Sequence, residues 1–227
     1  MNIEPIGIVR SCFGEKFAVP RQPGICPSAW GRLVFHEAYR SQEALRGIEG
    51  FSHLWLIFGF HQTVAQGWKP TVRPPRLGGN QRVGVFASRS TFRPNGLGLS
   101  LVRLEGVENG ELLLGGVDLV DGTPIYDVKP YLPYAEAFPD ASGGFAEEPI
   151  PRLEVEIAET AVADFLAQPA RSQAVLREAL SLDPRPPTQT GDAERVFGAV
   201  LCGCNVRFTI AEGVCRIVEI SPANVPH

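Results

Sequence analysis

Along the first 130 residues the apolar positions come in short runs and not in helical stripes. Residues 6–9, 31–35, 54–58, 83–87, 99–104 and 112–119 each have the length and side-chain type of a strand. Gly and Pro clusters at 20–24, 69–79 and 94–98 punctuate them. Only residues 41–47 read as a helix, and a short one. Many short strands with turn signals and little helix predict a barrel or sandwich. The strand–helix alternation that a doubly wound parallel sheet needs is missing.

The pattern changes after residues 140–151, an acidic stretch of small residues and prolines that reads as a linker. Beyond it, Leu153, Val155 and Ile157 alternate with Glu154 and Glu156, the signature of a half-exposed strand. Thr160 is placed to cap a helix that runs to about Leu182, where Asp183-Pro184 stops it. Residues 196–201, 205–210 and 214–220 read as strands, the last two joined by a turn at 211–213. The expected organisation is a mainly β domain over 1–150 and a small α+β domain over 151–227.

Composition adds little until it is divided along the chain. The 227 residues are 44% hydrophobic and 20% charged, ordinary values for a globular protein. The longest apolar run, 51–60, is too short to span a bilayer, and the N-terminus lacks the basic-then-apolar pattern of a secretory signal. Five cysteines in no regular framework fit a reducing, cytoplasmic setting. The net charge of −4 conceals +8 over residues 1–104 and −12 over 105–227. From Gly50 to Leu104 there is no acidic residue, while Lys69, Arg73, Arg76, Arg82, Arg89, Arg93 and Arg103 fall inside it. Such a stretch can steer a polyanion, because local field outweighs net charge within a Debye length. RNA is the expected partner.

Four segments concentrate polar groups near predicted strand ends. In the first, Pro20 and Pro23 fix the backbone around Arg21 and Gln22 and so pre-orient both side chains. The second is His61-Gln62, directly after an apolar strand. The third, 89–100, carries Arg89 and Arg93, suited to carboxylate or phosphate, with Asn95 at a glycine-rich turn. The fourth, 118–131, holds three carboxylates, Lys129, Tyr126 and Tyr131 around Gly122 and two prolines. No Gly-x-Ser-x-Gly elbow or Walker loop is present. Cys202-x-Cys204 lacks a second ligand pair at zinc spacing, so no metal is expected.

Together the segments KFAVPRQPG, GIEGFSHLWLIFGFHQ, PTVRPPRLGGNQRVGVFASRSTFRPNGLGLS and DLVDGTPIYDVKPYLPYAE resemble the TrmO (YaeB/TsaA-like) family of S-adenosylmethionine-dependent tRNA methyltransferases. Asp183-Pro184-Arg185-Pro186 and Asn205-Val206-Arg207-Phe208 extend the resemblance to nearly the whole chain. It implies a β-barrel domain, unlike the Rossmann methyltransferases, with a small C-terminal α+β domain in a homodimer. The implied reaction is methylation of N6 of threonylcarbamoyl-adenosine 37 in the anticodon loop of threonine tRNA. The family's cofactor contacts fall on Arg21, Gln22, Pro23, His61, Gln62, Arg89, Leu99 and the loop Leu119, Val120, Asp121, Gly122 and Thr123. Asn95 and Asp121 are the candidates to accept the adenosine N–H, and Arg73, Arg76, Arg82, Lys129, Tyr131 and Arg207 those to meet RNA. The family usually has Asn-Pro-Ile-Gly where this chain has Asn95-Gly96-Leu97-Gly98, which is expected to loosen that turn. A non-catalytic RNA- or nucleotide-binding module and a metal-dependent hydrolase are the competing readings.

Overall fold

A computed structural model describes residues 2–186 and 194–223. Six strands close into an antiparallel barrel: β1 (Gly7–Ser11), β2 (Trp30–Phe35), β3 (His53–Gly59), β6 (Leu97–Glu108), β7 (Glu111–Gly115) and β8 (Thr123–Pro130). Their order around the barrel is β1-β2-β7-β6-β3-β8, with β8 returning to β1. The interior follows from the two-residue period of a strand. Leu54, Leu56 and Phe58 of β3, Leu33 and Phe35 of β2, Leu112 and Leu114 of β7, Val9 and Ile125 are all buried. Their alternate neighbours face outward. Closure leaves no free sheet edge, so the apolar alternation suffices without covering helices.

Between β3 and β6 the chain makes a long excursion. It contains a two-stranded ribbon, β4 (Thr71–Val72) with β5 (Val83–Gly84), and short 3-10 turns. The second domain has a four-stranded sheet, β10-β11-β12-β9, built from β9 (Glu154–Ile157), β10 (Phe197–Leu201), β11 (Cys204–Ala211) and β12 (Val214–Pro222). Helices α3 (Glu159–Leu166) and α4 (Ala170–Leu180) belong to this domain, and the single-turn helices α1 (Gln42–Leu45) and α2 (Pro133–Glu136) flank the barrel.

The expected barrel and α+β unit are both present. The differences have local causes. Residues 83–87 form only a two-residue strand followed by a 3-10 turn. Strand β8 was not expected, because Pro124, Asp127 and Lys129 mask its inward Thr123 and Ile125. The single helix expected over 160–182 is two helices, broken at Pro169, which starts α4 because proline tolerates the first turn. Thr160 does not cap: Ala158 holds that position, and the Thr160 hydroxyl donates to the Val218 carbonyl at 2.9 Å.

One hydrophobic cluster runs through both sheets. Phe17 stacks on Phe197 and Phe208 with ring centroids 6.5 and 6.3 Å apart. Beside it Phe13 pairs with Leu201 as an isolated antiparallel bridge, and the Cys202 N–H donates to the Cys12 carbonyl at 2.7 Å. All five cysteines are free thiols, four of them buried and Cys202 partly exposed.

Packing inside the barrel supplies a direct test. The Phe58 ring fills the space that Gly98, its partner across β3 and β6, leaves open. A Cβ added at Gly98 would lie 2.2 Å from Phe58 Cζ. Gly98→Ala is expected to lower unfolding free energy by about 1–3 kcal/mol in a denaturant titration, as overpacking does. Phe58→Leu in the same chain should recover part of that loss. A neutral Gly98→Ala would show that the ring has room to move.

Candidate functional site

Antiparallel closure sends three connections to one mouth of the barrel. They leave the C-terminal ends of β1, β3 and β7 and enter the N-terminal ends of β2, β6 and β8. Arg21, Gln22 and Pro23 lie in the first connection, His61, Gln62, Arg89 and Asn95 in the second, and Leu119, Val120, Asp121 and Gly122 in the third. Leu99 and Thr123 are on strands at the same end. Segments separated by up to a hundred residues thus share one rim.

Specific bonds hold this rim. Arg89 donates to the side-chain carbonyl of Gln22, joining the first two connections. The Gly24 N–H donates to the Gly116 carbonyl at 2.9 Å, joining the first to the third. Asp121 is a tether: its Oδ1 accepts from the Ser11 N–H at 2.9 Å and its Oδ2 from Arg10 at 3.1 Å. The Ser11 hydroxyl donates to the Leu119 carbonyl at 2.7 Å, and the Thr123 hydroxyl to the Val120 carbonyl at 2.6 Å. The backbone of 119–122 is therefore held as a loop of fixed shape, with Gly122 at φ 78° in open space.

Asn95 is exposed in a turn closed by the Gly96 N–H, which donates to the Arg93 carbonyl at 3.1 Å. Gly96 has φ 60° and its own carbonyl accepts from Phe60 N–H at 2.8 Å. Proline could neither reach that φ nor donate that bond. The glycine does not loosen the turn; it closes a turn of a different kind. Arg93 stabilises the same region from within, donating to the carbonyls of Val85 and Ser88 at 3.2 and 2.8 Å.

Two residues at the mouth lie at the ends of the third and fourth segments of the sequence reading without having been singled out there. Ser100 points into the barrel end with no exposed surface and donates to Asp118 Oδ1. Burial is the largest influence on the Asp118 carboxyl and pushes its pKa up to about 6, while the Ser100 bond and the Arg89 charge oppose the rise. Asp118 keeps some exposed residue surface, so the enclosure concerns the carboxyl group. In sequence Asp118 is one of three acids clustered beside aromatics, a density that argues for more than a turn but does not single it out.

The second domain braces the Arg21 loop, and no local pattern announced it. Glu178 accepts from the Ser28 N–H and hydroxyl at 2.8 and 2.7 Å. Arg171 donates to the Ser28 carbonyl at 2.9 Å, and Arg152 to the Ile25 carbonyl at 2.5 Å. Desolvation lowers the pKa of Arg21, and the field of Asp183 opposes that change. Asp183 in turn is bonded by Arg185, which outweighs the cost of its burial and holds its pKa below the ordinary range.

The residues expected to meet RNA are not gathered in one place. Arg73, Arg76 and Arg82 are exposed on the excursion around the β4–β5 ribbon, where Arg76 donates to the Glu148 carbonyl. Lys129 and Tyr131 lie at the other end of β8, where the Tyr131 N–H donates to the His53 carbonyl at 3.0 Å and its ring meets Trp55 edge-on. Arg207 is on the exposed face of β11, 3.3 Å from Glu219. A cavity of about 670 Å³ also lies away from the mouth, between the barrel and residues 38–51, and includes none of the expected site residues.

Charge pairing separates the excursion from the rest of the surface. Arg10, Arg32, Arg46, Arg171, Arg185, Arg207 and Arg216 all form salt bridges with carboxylates. Of the seven cations between Gly50 and Leu104, Arg103 is the one with a salt bridge among the described residues. Lys69 instead sits 3.9 Å above the Phe92 ring, and Arg76, Arg89 and Arg93 bond to carbonyls. Among the described residues no carboxylate forms a salt bridge with the other six cations of this stretch.

The bracing can be measured. Glu178→Ala removes two charge-assisted bonds and is expected to cost about 1–3 kcal/mol of stability. Amide exchange should rise in residues 24–29 more than in the barrel strands. Unchanged exchange there would mean that the barrel alone holds the loop.

Comparison with known proteins covers the whole of this architecture. The family model described as the tRNA-methyltransferase O N-terminal domain matches residues 8–137, and that of the TrmO C-terminal domain matches 150–223. An Escherichia coli (strain K12) protein named tRNA (adenine(37)-N6)-methyltransferase is 47% identical over 97% of this chain and 98% of its own length. A Pseudomonas aeruginosa protein provisionally named an S-adenosylmethionine-dependent methyltransferase is 47% identical over 91% of each chain. A crystal structure of TrmO from Pseudomonas aeruginosa superposes with a TM-score of 0.81 at 39% identity, over 97% of this chain and 98% of that one.

Proposed function

Because this chain belongs to the tRNA-methyltransferase O family, we propose that it is an S-adenosylmethionine-dependent methyltransferase acting on N6 of adenine 37 in tRNA. The finer reading is that the adenosine already bears a threonylcarbamoyl group, that the tRNA is a threonine tRNA, and that the enzyme works as a homodimer. The observation that carries the proposal is the single mouth shared by the three loops, next to a surface of unpaired cations.

The donor set suits the cofactor. S-adenosylmethionine presents a carboxylate, an ammonium, a sulfonium, ribose hydroxyls and a purine. The mouth offers the Arg89 guanidinium, the Asp118 carboxyl, the Gln22 and Gln62 amides, the His61 ring and the backbone of 119–123, with Leu99 exposed at the rim. Arg21, Gln22 and Pro23 contribute to this binding site from the first connection, and His61, Gln62 and Arg89 from the second. When bound, the cofactor supplies an activated methyl group.

The chain's own work is positioning and exclusion of water. The N6 lone pair is delocalised into the purine, so a fixed acceptor for its N–H is the useful group. Asn95, exposed at the rim, fills that role. Asp121 acts more indirectly: both its oxygens are engaged with Ser11 and Arg10, and it keeps loop 119–122 in shape. Arg73, Arg76 and Arg82 meet anticodon-loop phosphates. Lys129, Tyr131 and Arg207, remote from the mouth, serve more distant parts of the tRNA.

Two experiments test the reading. In cells lacking the protein, mass spectrometry of tRNA nucleosides should show loss of N6-methyl threonylcarbamoyl-adenosine. An unchanged peak refutes the finer assignment, and methyl transfer by purified protein to tRNA without the threonylcarbamoyl group would leave only the coarser one. Arg73→Ala and Arg76→Ala should each weaken tRNA binding several-fold at modest salt and flatten its salt dependence by about 0.7–0.9 in logarithmic slope. Cofactor affinity should stay within about twofold. Equal loss of both affinities would place these arginines in the cofactor site instead.

A further inference from the structure

The excursion between β3 and β6 carries a large apolar side chain that folding leaves uncovered and yet holds still. Phe86 is 74% exposed, although its neighbour Val85 is 1% exposed and anchors the same 3-10 turn, Val85–Ala87. That turn is tied on several sides. The Val85 N–H donates to the Pro70 carbonyl at 3.0 Å, continuing the β4–β5 ribbon. The Val85 carbonyl accepts from the Ser88 hydroxyl at 2.9 Å and from Arg93 at 3.2 Å, and Arg93 also donates to the Ser88 carbonyl at 2.8 Å. The Arg93 guanidinium carbon lies 5.9 Å from the centre of the Phe86 ring. Through its backbone carbonyl, which accepts from the Gly96 N–H at 3.1 Å, Arg93 also closes the turn that presents Asn95. Arg93 therefore joins the exposed ring to the turn at the barrel mouth.

We propose that Phe86 is a stacking residue for the RNA substrate, receiving on its ring an unstacked base of the tRNA loop whose adenine enters the mouth. This rests on the reading of the chain as a tRNA methyltransferase. A single exposed apolar residue needs no explanation by itself. The surroundings of this one select the ligand. Lys69, Arg73, Arg76, Arg82, Arg89 and Arg93 share its excursion, and among the described residues none of them forms a salt bridge. A polyanion is attracted to a surface that displays a flat ring, and an RNA single strand supplies both the phosphates and the bases that such a surface fits. The guanidinium beside the ring adds attraction for a stacked base. Phe92, another ring of the excursion, is less suited, because it is partly buried and Lys69 covers one of its faces at 3.9 Å.

Drawing the target adenine out of the anticodon loop breaks its stacking on the adjoining bases. A ring already fixed in place can replace that stacking at little conformational cost, because the turn under Phe86 is held before any RNA arrives. The contact is to a base and not to a phosphate, so it adds affinity without displacing counterions. That separates Phe86 from Arg73 and Arg76, whose contribution depends on salt.

The experiment is a fluorescence-anisotropy titration of the full chain with a labelled tRNA anticodon stem-loop over a series of salt concentrations. It compares wild type, Phe86→Ala, Phe86→Tyr, Phe86→Leu and Phe138→Ala, with thermal melts and sedimentation of each. Phe86→Ala should bind the RNA about five- to a hundredfold more weakly, with the wild-type salt slope, melting temperature and S-adenosylmethionine affinity. Phe86→Tyr should stay within about twofold of wild type, and Phe86→Leu should not. Phe138→Ala, which removes a ring of similar exposure (73%) outside the excursion, should bind as wild type. The proposal is overturned if Phe86→Ala binds RNA as tightly as wild type, if Phe86→Leu binds as well as Phe86→Tyr, or if Phe138→Ala weakens binding as much as Phe86→Ala. A salt slope flattened in Phe86→Ala as in Arg76→Ala would also overturn it, since the loss would then come from displaced cations. So would a change of oligomeric state in Phe86→Ala, because the ring would then be covering a second copy of the chain. If the wild-type chain itself binds no tRNA, the reading beneath the proposal fails with it; if only the expectations for Phe86 fail, that reading stands.

Discussion

The structure hangs on the four residues by which β1 leaves the barrel, Ser11 to Gly14. A strand that exits a closed sheet must find partners for backbone groups that no longer have a neighbouring strand. Here the partners come from the start of β2, from the segment itself, from the third connection and from the second domain. The Ser11 N–H goes to Asp121, Cys12 N–H to the Trp30 carbonyl, Phe13 N–H to the Ser11 hydroxyl and Gly14 N–H to the Val200 carbonyl. The Phe13 carbonyl accepts from Asp121 N–H, and the Cys12 carbonyl from Cys202 N–H. One short segment satisfies its own backbone by fastening the third rim loop and the second domain to the barrel.

From that node the site acquires its rigidity. Strand-built mouths place their loops well only if the loops are themselves held, and these are held from two sides. Asp121, Ser11 and Thr123 fix the loop after β7 from below. Glu178, Arg171 and Arg152 fix the loop after β1 from the second domain. The small domain is thereby part of the site's support, although the residues expected to touch the cofactor belong to the barrel connections and strands. A preorganised rim suits a reaction in which the methyl group arrives already activated and geometry is the main contribution left to the protein.

Electrostatics divides the same surface into two tasks. Along the excursion, arginines bond to carbonyls and Lys69 packs on an aromatic ring, so their positive charge stays available to phosphates. At the rim, Arg89 bonds to the Gln22 amide, and its charge opposes the rise that burial causes in the Asp118 pKa. An overall net charge of −4 says nothing of either arrangement. Eight arginines outside the excursion are held in ion pairs among the described residues, whereas none on the excursion is.

Much of this was legible in the chain itself. The two-residue alternation of Leu54, Leu56 and Phe58, or of Leu112 and Leu114, is a local property, and it is sufficient to specify inward and outward faces and a barrel class. The acid-free stretch and the proline-framed Arg21-Gln22 are also local. In β8 prolines and charges surround the buried Thr123 and Ile125, so alternation carried no signal and the strand was missed. Asp118 and Asp121 are three residues apart in the same acidic cluster, yet one is an enclosed acid and the other a tether. That difference depends on Ser100, Arg89, Ser11 and Arg10, which only the closed barrel brings alongside. Likewise nothing near Glu178 or Arg152 foretells that they grip a loop some 125–150 residues away. Sequence determined which residues could face the core and which charges went unbalanced, because those follow from adjacency along the chain. Tertiary structure decided which polar groups work together, because a group's partners, and therefore its protonation and its role, are set by neighbours in space.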